Sequence, residues 1–297
     1  MLLSMYTNKF NKFGLNKYKY GDIRFLQKLG EGSTGSVYKC KINGIYYAIK
    51  IFDIYNYLGV DGLIDDVYNE LYISSLLKST EYSNLIKGYC IYNRLDDVKI
   101  YLISDYYKKS LDLRDFISKK YNKKSEYVLL NQNKISIITQ LILGLKEINE
   151  NKVLHCDIKL ENIIIYKKDN EYKIKFIDFG GSCYLNNKIV YDSSDYDYNF
   201  GTTGYMSKEV YNNNIYISSD IYALFVCILE ILVGKIWGND DSYKKCRKEI
   251  KIATNKLNNL EIKKYINLCL SEDYKMRPNI TDIETKFIIL LRQLDED

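Results

Sequence analysis

The segment Gly30-Glu31-Gly32-Ser33-Thr34-Gly35-Ser36-Val37 constrains the fold most, because of what flanks it. Strand-like patterning runs from Ile23 to Leu29 before it and from Ser36 to Ile42 after it. A third strand pattern, Tyr46 to Phe52, follows across Asn43-Gly44, a strong two-residue hairpin signal. Glycines at this spacing let a backbone approach a polyphosphate closely and turn N–H groups toward its oxygens. A dinucleotide-binding fold sets such glycines between a strand and a helix, so strands on both sides argue against that fold. Taken alone, the segment also reads as a glycine-rich hairpin turn.

The next groups extend this pattern. Ala48-Ile49-Lys50 places a lysine in an apolar strand, where it must snorkel or find an anion. Asp61 to Lys78 reads as a helix through Leu63, Val67, Leu71 and Ser74. Glu70 shares a flank with apolar residues and is expected to face inward, where a buried carboxylate and Lys50 need each other. Ile86 to Tyr92 and Val98 to Ser104 are two more strands, after which Asp105-Tyr106-Tyr107 leaves the sheet. The chain then becomes mainly helical, over Leu111 to Lys120, Leu129 to Asn149, Ile217 to Val233, Tyr243 to Ile252, Leu260 to Leu270 and Ile280 to Leu294. Ser218, Ser219 and Asp220 are cap candidates for the most apolar of these helices, and Thr281 to Glu284 reads as a capping box for the last. Residues 1–20 carry Lys9, Lys12, Lys17 and Lys19 with no acid before Asp22, and read as a frayed leader or a basic tether.

Two polar intervals stand out. Val153 to Ile165 sets Asp157, Lys159 and Asn162, with the only histidine, His155, between apolar runs, as a scaffold presents reactive side chains on a loop. By itself it is equally a polar turn joining a helix to a strand. A strand pair turned by Asn170-Glu171 runs into Phe176-Ile177-Asp178-Phe179-Gly180-Gly181, where a carboxylate at a strand end suits a magnesium ligand or marks a plain strand-terminating turn. Ile189 to Ser207, with Asp192, Asp195 and Asp197 and no Lys or Arg, reads as a long, mobile acidic loop. Lys119 to Lys124 reads as a solvated basic loop.

Composition excludes several classes. A chain of 297 residues suits one large domain or two packed lobes. A net charge of +5, scattered along the chain, implies no nucleic-acid or membrane partner. Seven cysteines, odd in number and without a Cys-x-x-Cys pair, argue against a disulfide framework or structural zinc. They favour a reducing compartment, so a cytoplasmic location is expected, or host cytoplasm or nucleus for a viral protein. The start Met-Leu-Leu-Ser lacks a secretory n-region, and Ile221 to Val233 is too short to span a bilayer.

Together these motifs, from about Ile23 to Leu294, resemble the eukaryotic-type protein kinase family. The resemblance implies an α+β, bilobal kinase fold: an N-lobe at 21–105 with a five-stranded antiparallel sheet and one helix, and a mainly helical C-lobe at 106–297. It implies ATP and Mg2+ as cofactors, with Mn2+ as the alternative, a protein substrate and a monomer. Leu29, Gly30, Gly32, Gly35, Val37, Ala48, Lys50 and Glu70 then belong to the nucleotide site, Lys50 on the α and β phosphates with Glu70 as its helix partner. Asp105 and Tyr107 meet the adenine through backbone groups, beside Ser104 at the gatekeeper place. Asp157 is the catalytic base, Lys159 the phosphate-stabilising lysine, and Asn162 and Asp178 the metal ligands. Lys159 and Thr202 follow the serine/threonine pattern. Glu209 pairs with Arg277, Asp220 braces the catalytic loop, and His155 supports that loop without transferring a proton.

The sequence also departs from the family. Cys156 replaces the usual arginine, Leu160 and Lys208 replace prolines, Ser207 an alanine and Phe225 a glycine. A cysteine cannot pair with an activation-loop phosphate, so activity independent of such phosphorylation is expected, with Ser193, Ser194, Thr202 and Thr203 as the residues to test. The alternatives are a pseudokinase scaffold and a small-molecule kinase.

Overall fold

Apolar residues alternating along five strands build a sheet with a core on each face. The computed structural model describes residues 8–32, 35–54, 60–77, 80–94, 97–121, 131–185, 191–192, 201–236 and 242–293. They fall into two compact units, the first made of Met1–Ser79, Asn84–Lys108 and Asp178–Gly180, the second of the remainder.

In the first unit, β1 (Asn16–Lys17), β2 (Arg24–Gly32), β3 (Gly35–Ile42), β4 (Ile45–Asp53), helix α1 (Val60–Leu76), β5 (Ile86–Arg94) and β6 (Asp97–Asp105) follow in order. The sheet runs β1-β5-β6-β4-β3-β2. The five expected strands pair antiparallel, and β1 adds a sixth, parallel strand at the edge of β5. Asn43 (φ 47°) and Gly44 (φ 86°) turn the β3–β4 hairpin, both left-handed as a primed turn requires. Successive residues face opposite sides of a strand, so Leu102 and Tyr89 enter a cluster with Phe52, Val67 and Leu71 on the α1 side. Their neighbours Tyr101, Ile103 and Cys90 enter the other cluster with Ile23, Cys40, Ile42 and Ile49.

The frayed leader is corrected from residue 8 onward. Phe10 is 0% and Phe13 8% exposed within the α1-side cluster, so burial of two aromatic rings outweighs the solvation of the neighbouring lysines.

The second unit contains β7 (Leu111–Asp112), α2 (Leu113–Tyr121), α3 (Asn131–Glu150), β8 (Val153–Leu154), β9 (Ile163–Lys168), β10 (Glu171–Phe176), β11 (Cys183–Tyr184), β12 (Tyr191–Asp192), α4 (Lys208–Tyr211), β13 (Asn214–Ile215), α5 (Ile217–Val233), α6 (Tyr243–Asn255), α7 (Leu260–Cys269) and α8 (Ile280–Arg292). Asp169 and Asn170, both at positive φ, turn β9 into β10, one residue earlier than the sequence suggests. Gln140 of α3 fastens β10 by donating to the Tyr172 carbonyl (2.9 Å) and accepting the Ile174 N–H (3.2 Å). Thr80–Ser83 belongs here because a side chain at Gly144 would collide with Phe176 (2.6 Å) and Tyr82 (2.8 Å), so only glycine admits this packing.

Two helix caps differ from expectation. Helix α5 is capped at Tyr216, whose N–H donates to Ser219 Oγ, while Asp220 turns inward to the loop after β8. Asn279, which accepts the Asp282 N–H (2.9 Å), caps α8 two residues before the expected box. Among the described residues no helix is long and apolar enough to cross a membrane. Most of the acidic loop, Ser193 and Ser194 included, and the second half of the Lys119 to Lys124 run lie outside the described residues.

Candidate active site

Lys50 lies on β4 at the face toward α1, and its Nζ reaches two carboxylates within the first unit. Glu70 Oε2 of α1 is 3.2 Å away and Asp178 Oδ1 is 2.6 Å away. Burial would push the Lys50 ammonium down, but Glu70 and Asp178 outweigh it and hold it above its ordinary range. Burial pushes Glu70 the other way, up, and Asp178 adds to this against the pull of Lys50. A fixed cation therefore stands where it can meet an added anion. Asn69 Nδ2 donates to the Gly180 carbonyl (2.7 Å), tying α1 to the residues after Asp178.

The three glycines differ in what they permit. At Gly35 an added Cβ would lie 2.2 Å from the Ile51 carbonyl oxygen, so the β3–β4 approach excludes any side chain. Among the described residues, chain neighbours apart, no atom lies within 4 Å of such a Cβ at Gly30, and at Gly32 the nearest is 3.8 Å away. The backbone of β2 is thus left bare of side chains there, as close approach by a phosphate needs. Leu29 is exposed, Val37 and Ala48 are half-buried on β3 and β4, and Asp105 closes β6. Tyr107 is half-buried just beyond β6. The Asp105 carbonyl accepts from Asn84 Nδ2 (3.2 Å), a neighbour the sequence reading missed.

In the second unit, Asp220 of α5 shapes the loop after β8. Its carboxylate accepts the N–H groups of His155 (2.7 Å) and Cys156 (3.0 Å). Burial pushes that carboxyl up, opposed by His155 and the two amides. His155 Nε2 donates to the Ile177 carbonyl (3.1 Å), and Ser182 Oγ donates to the His155 carbonyl (3.1 Å), giving His155 its supporting role. Cys156 adopts φ 65°, the left-handed region, and Asp157 follows.

Around Asp157 the expected residues converge. Lys159 Nζ is 2.7 Å from Asp157 Oδ2 and donates to Thr202 Oγ1 (2.9 Å), which in turn donates to Asp157 Oδ1 (2.8 Å). Asn162 Nδ2 donates to both the carbonyl and Oδ2 of Asp157, each at 2.9 Å, which aims its Oδ1 elsewhere as an acceptor. Asp178 and Asn162 offer a carboxylate and an amide oxygen, the hard donors that magnesium takes. Among the described residues no group of three or more His, Cys, Asp or Glu could hold a metal unaided.

Arg277 and Glu209 form a bidentate pair at 2.5 and 3.0 Å, and the Glu209 carboxylate also accepts from Ser207 Oγ (2.6 Å) and Ser219 Oγ (2.8 Å). The serine that departs from the family pattern thus gains a partner. Cys156 packs with Leu154, Cys183, Leu185, Val210 and Ile215, an apolar setting.

The sequence reading also missed Arg114. This guanidinium pairs with Glu230, which is 0% exposed, with the Tyr205 hydroxyl, and with Glu161 of the catalytic loop at 3.0 Å. An acidic residue, Glu230, in the last turn of the most apolar helix was the available signal. Glu161 is therefore engaged by the chain's own cation.

Residues 23–288 match the family described as the protein kinase domain. The chain belongs to that family. The kinase chain is 32% identical over 222 residues to a probable serine/threonine-protein kinase, fnkE, of Dictyostelium discoideum, covering 73% of this chain and 16% of that protein. It is 26% identical over 266 residues to the probable serine/threonine-protein kinase WNK10 of Arabidopsis thaliana, covering 84% and 46%. It is 28% identical over 294 residues to the serine/threonine-protein kinase PSK1 of Saccharomyces cerevisiae, covering 92% and 20%. This kinase chain thus spans less than half the length of each of these relatives.

Proposed function

We propose that the chain transfers the γ-phosphoryl group of ATP to serine or threonine hydroxyls of protein substrates, without needing a phosphate on its activation loop. The observation that carries this is the closed set Asp157, Lys159, Thr202 and Asn162. One carboxylate is held by an ammonium, a hydroxyl and an amide, each within 2.9 Å. Magnesium-bound ATP supplies the electrophilic phosphorus. Lys50, kept cationic and positioned by Glu70, would hold the nucleotide phosphates, and Asp178 and Asn162 would hold the metal. Asp157 takes the proton of the acceptor hydroxyl, and Lys159 offsets charge developing on the transferred group.

Two further observations support the finer statement. Thr202 bonded to both Asp157 and Lys159 matches the serine/threonine pattern, and the relatives are serine/threonine-protein kinases by name. Cys156 in its apolar cluster has no charge to offer a phosphoresidue, which supports independence from activation-loop phosphorylation. Seven cysteines outside any disulfide support a reducing, cytoplasmic setting.

The test is transfer of labelled γ-phosphate to a degenerate peptide library with serine, threonine or tyrosine acceptors, using phosphatase-treated protein. Asp157→Asn serves as the control. Transfer to serine and threonine peptides, reduced about 100-fold or more in the control, is expected. Absence of transfer to any peptide, or a requirement for phosphorylated Ser193 or Ser194, overturns the corresponding part of the reading.

A further inference from the structure

The leader that the sequence presents as a loose basic tail is fastened to the helix that carries Glu70. Residues 8–11 are helical. From there Phe10 sets its ring edge-on against Tyr89 of β5, with centroids 5.5 Å apart. Phe13 meets two rings of α1, Tyr68 at 5.1 Å and Tyr72 at 6.1 Å. Asn11 Oδ1 accepts the Tyr89 hydroxyl at 2.6 Å. Beyond it, β1 pairs with Gly88 and Tyr89, and the Tyr18 N–H donates to the Tyr89 carbonyl at 2.9 Å.

Gly88 is what admits this strand. A Cβ there would lie 2.5 Å from both the Asn16 carbonyl oxygen and the Tyr18 ring. The lysines of the segment face outward, while its two phenylalanines close the cluster containing Val67 and Leu71 of α1. Residues 67, 68, 71 and 72 lie on one stripe of a helix, and Glu70 lies on an adjoining one. Covering that stripe therefore fixes the rotation of α1, and with it the reach of Glu70 to Lys50.

We propose that residues 8–18 are a built-in clamp that holds α1 with Glu70 on Lys50, and that Phe10 and Phe13 are positioning residues for phosphoryl transfer. The proposal rests on the kinase reading above and adds how the Lys50–Glu70 pair is kept in place. Without the clamp, α1 exposes Val67, Leu71 and two tyrosine faces to water, and orientations that withdraw Glu70 gain population.

The experiment compares the full chain with the double variant Phe10→Ala/Phe13→Ala and with Gly88→Ala, which displaces β1 while leaving both rings in the chain. Hydrogen exchange is followed in α1 and in α3, and kcat and KM are measured for nucleotide and peptide well below the melting temperature. Faster exchange in residues 67–76 with α3 unchanged is expected, with kcat lowered about tenfold. The KM for peptide is expected to stay unchanged, and Phe13→Leu is expected to keep most activity. A synthetic peptide of residues 8–19 added to the double variant is expected to slow α1 exchange again. Unchanged exchange of α1 in both variants, or unchanged kcat alongside faster exchange, overturns the clamp. An inactive wild-type chain would instead sink the kinase reading, and the exchange comparison alone would then judge the clamp.

Discussion

Thr202 Oγ1 donates to Asp157 Oδ1 at 2.8 Å and accepts from Lys159 Nζ at 2.9 Å, so one hydroxyl bridges a carboxylate and an ammonium from a loop 45 residues away in sequence. The bridge holds Asp157 in one rotamer and divides the Lys159 charge between two oxygens.

Loss of that bridge is expected to appear in turnover. Thr202→Ala should lower kcat by about 10- to 100-fold, as misplacement of a catalytic base does, with a much smaller change in nucleotide KM. Thr202→Ser, which keeps the hydroxyl, should retain most of the rate. Steady-state kinetics on a serine peptide decides it, and equal activity of all three proteins would show that Asp157 needs no such support.

The Glu209–Arg277 pair predicts a pH-dependent stability. Burial pushes the Glu209 carboxyl up, yet the bond and charge of Arg277 outweigh it and hold the group below its ordinary range. A carboxyl depressed on folding stabilises fully above its unfolded pKa of about 4.3, and that contribution disappears as pH falls through the folded value. Arg277→Ala leaves a buried carboxylate unpaired and should cost about 3–5 kcal/mol near pH 7. The deficit should shrink as pH falls, first as the buried Glu209 of the variant, with no guanidinium beside it, becomes neutral above the ordinary carboxyl range, and then as the wild-type pair itself is protonated. Urea denaturation of both proteins between pH 3 and 7 measures it, and a deficit independent of pH would contradict the assignment.

Cys156 is expected to be a slow nucleophile despite its place beside Asp157. Its hydrogen bond with Cys183, followed by burial, pushes the thiol well above the ordinary range. Such a rise leaves very little thiolate at neutral pH. Native protein treated with N-ethylmaleimide at pH 7.5 should therefore modify Cys156 at least about tenfold more slowly than a free thiol. Unfolded protein should label at all seven cysteines. Peptide mass spectrometry over time reads both, and labelling of native Cys156 at the free-thiol rate would rule out the half-buried, bonded thiol.

Much of the fold was legible because its signals are local. Alternation at Tyr101, Leu102 and Ile103 forecasts the two faces of β6, and Asn43-Gly44 forecasts a turn whose residues both need positive φ. Helix ends were less legible, since several polar residues near a start can each cap it. Asn279 and Tyr216 occupy those positions, while Asp220 is drawn into the core by two backbone N–H groups. The leader misled because four lysines dominate its composition, whereas Phe10 and Phe13 decide its free energy by burial.

The sequence by itself determined the order and identity of the chemical groups: the glycines, Lys50, Glu70, Asp157, Lys159, Asn162 and Asp178. It also determined the periodicities that make five antiparallel strands and the long helices, because both depend on neighbours within a few residues. Only the tertiary structure decided which distant groups meet. Thr202 reaches Asp157 across 45 residues, Arg114 finds Glu230 across 116, and the Tyr89 hydroxyl donates to Asn11 across 78. A buried charge or hydroxyl must be satisfied wherever it comes to rest, and packing selects its partner among many candidates of the same chemistry.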